Sequence, residues 1–163
     1  MKYTRKEMIR FIRESNGIED EWTPQAIIDS LDAWSWLSQE VITLSLMDIL
    51  IAHKAILKKL EPKYAGKLRA ELKIDVRVGT RECCRYYEVP NRLANWLTNV
   101  NSVVWDEESI KGMHVAFETI HPFPDGNGRV GRLIYCWMRQ KINLPIHIIR
   151  EVEKQQYYGW FPK

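Results

Sequence analysis

One run of twelve residues, His121-Pro122-Phe123-Pro124-Asp125-Gly126-Asn127-Gly128-Arg129-Val130-Gly131-Arg132, limits what this chain can fold into more than any other. Prolines and glycines bar regular structure at its start. Val130, Leu133, Ile134, Trp137 and Met138 then recur at helical spacing, with no proline before Pro145. A tight loop must therefore feed directly into a long helix. Gly126 and Gly128 carry no Cβ, so the backbone there can take positive φ and come close to a ligand. Their N–H groups, with that of Asn127, fall at a helix start, where unpaired donors and the macrodipole favour an anion.

The side chains of the run have matching chemistry. A neutral His121 could accept a proton from an attacking hydroxyl. Asp125 supplies hard oxygen ligands of the kind Mg²⁺ shares with substrate phosphates. Arg129 and Arg132, three apart, lie on one helix face and can clamp phosphate oxygens with forked donors. Taken singly, these residues mean little: a histidine before a loop is usually structural, Asp-Gly is an ordinary turn, and two arginines are usually a solvated face. Their joint spacing points to a site for a nucleotide polyphosphate.

The run matches, at every fixed position, the motif His-x-Phe-x-Asp/Glu-Gly-Asn-Gly-Arg-x-x-Arg, and on these residues the chain resembles the Fic (filamentation induced by cAMP) family. The resemblance implies a protein adenylyltransferase that moves AMP from Mg·ATP to a Ser, Thr or Tyr hydroxyl of a target protein and releases pyrophosphate. It casts His121 as general base, Asp125 as the Mg²⁺ ligand, and Gly126, Asn127 and Gly128 as the anion hole. Arg129 and Arg132 become phosphate contacts, the nucleotide-binding stretch runs on through Val130 and Gly131, and Phe123 anchors the loop in the core. The related Doc toxins, which transfer a phosphate, carry Lys near the position of Gly128, so Gly128 favours nucleotidyl transfer.

Length and composition fit a single mainly helical domain over residues 1–163, a Fic-type helical bundle by resemblance. Apolar residues make up 45% and charged residues 28%, with no low-complexity stretch, which excludes a disordered chain. A net charge of +3 is too balanced for a nucleic-acid stripe, so no nucleic-acid partner is expected; a DNA-binding helix carrying Arg129, Arg132 and Arg139 ranks last. No stretch is long and apolar enough for a membrane span, and the N-terminus leads into an amphipathic helix, so a cytoplasmic protein is expected. Cys83, Cys84 and Cys136 lack metal-site spacing and are read as free thiols. Helices are expected near 4–14, 24–37, 44–60, 90–102, 107–120, 126–141 and 150–160. His114 and the tryptophans at 34, 36, 96 and 137 are read as core.

One segment breaks the helical pattern. Ile74 to Gly79 alternates β-branched and polar residues, and Cys84 to Val89 can return as a second strand, giving a β-hairpin within 73–89. In Fic proteins a hairpin at this place, the flap, covers the site and registers the target by main-chain pairing, and Val76, Arg77, Val78 and Gly79 align with its nucleotide side. Residues 1–22 contain Ser15 and Glu19, spaced as in the family's N-terminal inhibitory motif. There the glutamate pairs with the second motif arginine, here Arg132, and competes with the ATP γ-phosphate; the pattern ends in Gly or Asn where this chain has Asp20. Autoinhibition and self-modification are thus expected. Tyr157 and Tyr158 resemble a pair near the adenine, with Tyr157 as the candidate stacking face. The helix that continues beyond this point in many relatives is missing from a sequence that runs to Lys163, so relaxed base selection is expected, with UTP, GTP or CDP-choline as alternative donors. Other readings are deAMPylation at the same site and a nucleotide-binding regulatory pseudo-enzyme. The oligomeric state is left open.

Overall fold

Most of the helices start where a polar side chain occupies a free amide. Thr4 and Glu7 form a reciprocal capping box for α1 (Arg5–Ile18), Thr23 with Pro24 opens α2 (Pro24–Gln39), and Ser45 with Asp48 opens α3 (Leu46–Leu57). Two short strands, β1 (Arg77–Val78) and β2 (Arg81–Glu82), precede α4 (Val89–Ser102). Asp106 and Ser109 box the start of α5 (Glu107–Ile120), and α6 (Asn127–Lys141) and the short α7 (Lys154–Tyr158) follow. This computed structural model describes residues 2–161; Met1, Pro162 and Lys163, the outer ends of the expected domain, lie outside the described residues.

Helix α6 is the centre of the packing and touches α1, α2, α3 and α5. Val130, Leu133, Ile134, Trp137 and Met138, the residues at helical spacing in the sequence, are all buried in the main core. Trp34 and Trp96 join them, and Trp36, half-buried, donates to Asp48. The three cysteines are free. Among the described residues no helix is long and apolar enough to cross a membrane.

The structure departs from the sequence expectation in three places. Helix α1 runs past residue 14 and through Gly17 to Ile18, because Ser15, Asn16, Gly17 and Ile18 are all buried; that burial outweighs the roughly 1 kcal/mol propensity cost of a glycine. The expected helix over 150–160 is a 3₁₀ turn at Glu151–Glu153 followed by α7. The hairpin is much shorter than its expected strands: Val78 pairs with Arg81 across a two-residue turn with Gly79 at φ +59°, and Arg77 pairs with Glu82. Residues 84–89 form no strand. The Asp75 carboxylate takes the Tyr86 N–H at 2.8 Å and the chain turns into a 3₁₀ segment at Tyr86–Glu88, which ends the ladder.

Two buried histidines tie helices to the site. His53 on α3 stacks on Phe123, with ring centroids 3.6 Å apart. Its Nδ1 accepts from the Gly66 N–H at 2.9 Å, so Nε2 carries the proton and donates to the Asp125 carbonyl at 3.0 Å. His114 on α5 pairs its Nε2 with the Tyr157 hydroxyl at 2.9 Å. Burial lowers His53 to about 4 and His114, with the nearby Arg132 charge adding, to about 3. The unfolded rings take protons near 6.5 and the folded ones do not, so stability is present above the unfolded value and is lost as pH falls from about 6.5 towards 4, by up to ~1.4 kcal/mol per pH unit for each ring. Urea unfolding repeated across that range should show the decline, and His53→Gln should flatten it; a pH-independent stability would refute the assignment.

Candidate active site

The loop between α5 and α6 is closed by one side chain. Asn127 accepts from the Phe123 N–H at 2.9 Å and donates to the Phe123 carbonyl at 2.8 Å, while Phe123 itself is fully buried. Gly126 takes φ +77°, and a Cβ there would stand 3.3 Å from Leu57 Cδ1, so this position is restricted both in conformation and in space. The backbone then enters α6, whose first amides have no carbonyl partner within the helix and no side-chain cap at Gly126. The Asp125 carboxylate is half exposed; one oxygen accepts from the Gly126 N–H at 2.6 Å and the other lies 3.5 Å from Arg129.

His121 caps α5 in the left-handed region, φ 51° and ψ 63°. Its Nδ1 faces the Glu118 carbonyl at 3.4 Å; a carbonyl only accepts, so this contact places the proton on Nδ1 and leaves Nε2 with its lone pair. Burial lowers the ring to about 4, with the Arg69 and Arg81 charges adding, so it is neutral at ordinary pH.

The two motif arginines are both buried, which a solvated face would not be. Arg129 has Nε and Nη1 without partners inside the protein, donors that an anion would satisfy. Arg132 is tied to α1: Nε donates to Ser15 Oγ at 2.8 Å, and Nη2 donates to the Ser15 carbonyl at 2.9 Å and to Glu19 Oε1 at 2.7 Å. Ser15 and Glu19, four apart on α1, therefore grip one guanidinium from the same face. Burial alone would raise the Glu19 carboxyl, but the Arg132 guanidinium outweighs it and holds the group below the usual carboxylate range. Glu19 Oε1 lies against Gly128, where a Cβ would collide with it and would stand 2.8 Å from Arg132 Nη1.

Glu19, Val78, Gly79, His121, Gly128 and Arg132 line one cavity of about 470 Å³, together with Tyr157, Tyr158 and Phe161. The structure thus brings together the inhibitory-type glutamate, the hairpin turn, the histidine and the second arginine. Val76, Arg77, Val130 and Gly131 do not line this cavity. Val130 points into the hydrophobic core and Gly131 is packed against Phe117 and Glu118 of α5, because the helix turns both away from the loop face. Val76 serves the hairpin base by accepting from the Cys83 N–H, and the Arg77 side chain pairs outward with Glu82 at 3.1 Å. Tyr157 is 3% exposed and its hydroxyl is held by His114 and Arg132, whereas Tyr158, at 43%, is the open face of the pair.

Several residues at the site went unread in the sequence. His53 holds the Asp125 carbonyl, yet one histidine on the apolar stripe of Ile49, Ala52 and Ile56 reads as core. Glu118 is a buried carboxyl that burial pushes up to about 8, with Oε1 unpartnered. Arg81 reaches from the hairpin to the Glu118 carbonyl at 3.4 Å. Arg69, fully buried, donates to the His121 carbonyl at 2.8 Å. Among Lys67, Glu71 and Lys73, nothing local marks it as the buried charge.

The sequence model of the Fic/DOC family matches residues 43–138. The chain is 31% identical over 129 residues to protein adenylyltransferase fic-1 of Caenorhabditis briggsae, covering 77% of this chain and 25% of that protein. It is 51% identical over 51 residues to a probable protein adenylyltransferase of Aquifex aeolicus, covering 29% of this chain and 16% of that protein. The chain spans about a quarter or less of the length of these curated relatives. The fold is similar to that of Fic-1 of C. elegans, with a TM-score of 0.81 at 21% identity over 96% of this chain and 55% of that one. It is also similar to a Fic-domain signaling protein of Bacteroides thetaiotaomicron, with a TM-score of 0.80 at 18% identity over 94% of this chain and 70% of that one.

The half-buried setting of His121 has a direct readout. Its ring carbon–proton NMR signal should show a neutral imidazole down to about pH 4. A midpoint near 6.5 would mean that the ring is solvated in the native state.

Proposed function

The chain belongs to the Fic/DOC family, and on that premise we propose that it is a protein adenylyltransferase acting on a hydroxyl side chain of a target protein. The observation that carries this reading is the buried Arg129, which follows Gly126–Gly128 in the first turn of α6 and whose Nε and Nη1 have no protein partner. Two unpaired forked donors at a helix N-terminus suit a polyphosphate. The α- and β-phosphates of ATP would lie on the loop amides and Arg129, and the γ-phosphate would reach Arg132. The base would rest between the hairpin turn and the Tyr157–Tyr158 pair.

The transfer follows from where the lone pair sits. Nε2 of His121 takes the proton of the target hydroxyl as its oxygen bonds to the α-phosphorus, and the bond from that phosphorus to the α,β-bridging oxygen breaks, so pyrophosphate leaves with the electron pair. Among the described residues no cluster of three His, Cys, Asp or Glu could cage a metal, but Asp125 with a half-exposed carboxylate fits an ion held mainly by phosphates. Mg²⁺ at Asp125 would neutralise phosphate charge. The hairpin would receive an extended target segment by strand addition.

Glu19 acts on the same donors as a brake. Its carboxylate occupies Arg132 Nη2 and the space over Gly128, so a γ-phosphate would have to displace it or sit out of line. Self-modification is the form in which release of the brake would first be seen.

The test is incubation of wild type, Glu19→Gly, and Glu19→Gly with His121→Ala, using Mg²⁺ and α-labelled ATP, with intact mass recorded for each. Glu19→Gly should gain the mass of one AMP group faster than wild type, and adding His121→Ala should slow that gain on the order of 10²- to 10⁴-fold. Thermal stabilisation by ATP without any adduct, in folded Glu19→Gly, would point to a nucleotide sensor instead.

A further inference from the structure

Arg69 lies in the irregular stretch between α3 and the hairpin, and its side chain is fully buried. A guanidinium is costly to bury unless each donor is met. Here Nε donates to the His121 carbonyl at 2.8 Å, Nη1 to the Ile74 carbonyl at 3.3 Å, and Nη2 to the Cys84 carbonyl at 2.6 Å and the Ile120 carbonyl at 3.3 Å. Its backbone N–H also donates to the Pro122 carbonyl at 3.0 Å. Ile74 and Cys84 stand on the two legs of the hairpin, one before β1 and one after β2. Ile120 and His121 are the last residue and the cap of α5, whose terminal carbonyls have no partners within the helix. One planar fork therefore joins both hairpin legs to the residue that carries the base.

His121 needs such a hold. A side-chain-bearing residue in the left-handed region stays there only when its surroundings impose it. The Asn127 clasp fixes the loop from Phe123 onward; at His121 itself, the Phe117 and Glu118 carbonyls hold the amide and the ring, and Arg69 holds the carbonyl. Lysine, a point charge on a flexible stem, could not reach these carbonyls at once.

We infer that Arg69 is a positioning residue: it sets the His121 imidazole relative to the flap, so that a target strand paired to the hairpin presents its hydroxyl where the base can take the proton. This rests on the transfer reading above, and a plain structural tie would leave the imidazole's environment unchanged.

The test places Arg69→Gln and Arg69→Lys in the Glu19→Gly protein and reads the His121 ring NMR signal and its titration, ATP-induced thermal stabilisation, and the rate of AMP transfer. Both variants should keep ATP-induced stabilisation, since Arg129, Arg132 and Asp125 are untouched, yet lose transfer by about 10²-fold, the scale expected for a misplaced reacting group. The ring signal should move in both. Its titration midpoint should rise in Arg69→Gln, which removes a positive charge, and stay nearer the parent in Arg69→Lys; Arg81 is the other cation facing the ring, and Glu19, the facing anion, is absent from both proteins. An unaltered ring signal in folded Arg69→Gln overturns the inference, as does an unaltered rate in a parent that transfers AMP. If the parent transfers nothing, the adenylyl-transfer reading fails separately and the ring signal alone decides on Arg69. Should neither variant fold, Gly79→Val strains the exposed hairpin turn instead. The Arg69 Nε–H and His121 ring signals should then shift together, and a shift in neither refutes the coupling.

Discussion

A buried guanidinium is costly unless its donors are met, and the partners that meet those of Arg132 draw several elements together. Arg132 stands on the central helix, draws in Ser15 and Glu19 from α1, and reaches the Tyr157 hydroxyl on α7. Through Tyr157 and His114 the same group is linked to α5. The two ends of the chain thus meet over the start of α6. The charge gains partly because the Ser15 carbonyl is near the C-terminal end of α1, where the helix dipole favours a cation.

Arg132 also explains why a catalytic-type loop can rest on rather few elements. The loop backbone is closed by Asn127, its floor is the His53–Phe123 stack, and its outer wall is α1, held by Arg132. The first and last of these are donor–acceptor contacts of fixed geometry and the second is a ring stack, so the loop is positioned by directed contacts more than by bulk. The apolar core supplies the platform and polar contacts set the placement on it.

How much was legible in the sequence depended on the range of the forces. The loop, the start of α6 and the core stripe of Val130 to Met138 were legible because local spacing alone decides them. The reach of α1 through Gly17 was not, since it depends on contacts with α6, such as that of Ser15 with Arg132, that no local window contains. The return strand at 84–89 failed for a similar reason: Arg69 and Asp75 capture Cys84 and Tyr86 from a distance, and alternation of residue types cannot reveal a competitor for backbone bonds. Tyr157 carries the same lesson, as a tyrosine pair does not say which ring will be sealed by a histidine from another helix.

The space above Gly128 is shared ground. The side chain that would bar Glu19 from it would also crowd Arg132 and the position proposed for phosphate, because the same missing Cβ admits both. A lineage could therefore not shed the proposed brake by changing this glycine without spoiling the site beneath it. Escape from the proposed inhibition would have to arise at Ser15 on α1 or at its cap Glu19, where one contact can be lost while the loop stays whole. The outer helix and the loop would then drift at different rates, with variation gathering on the helix and little tolerated beneath it.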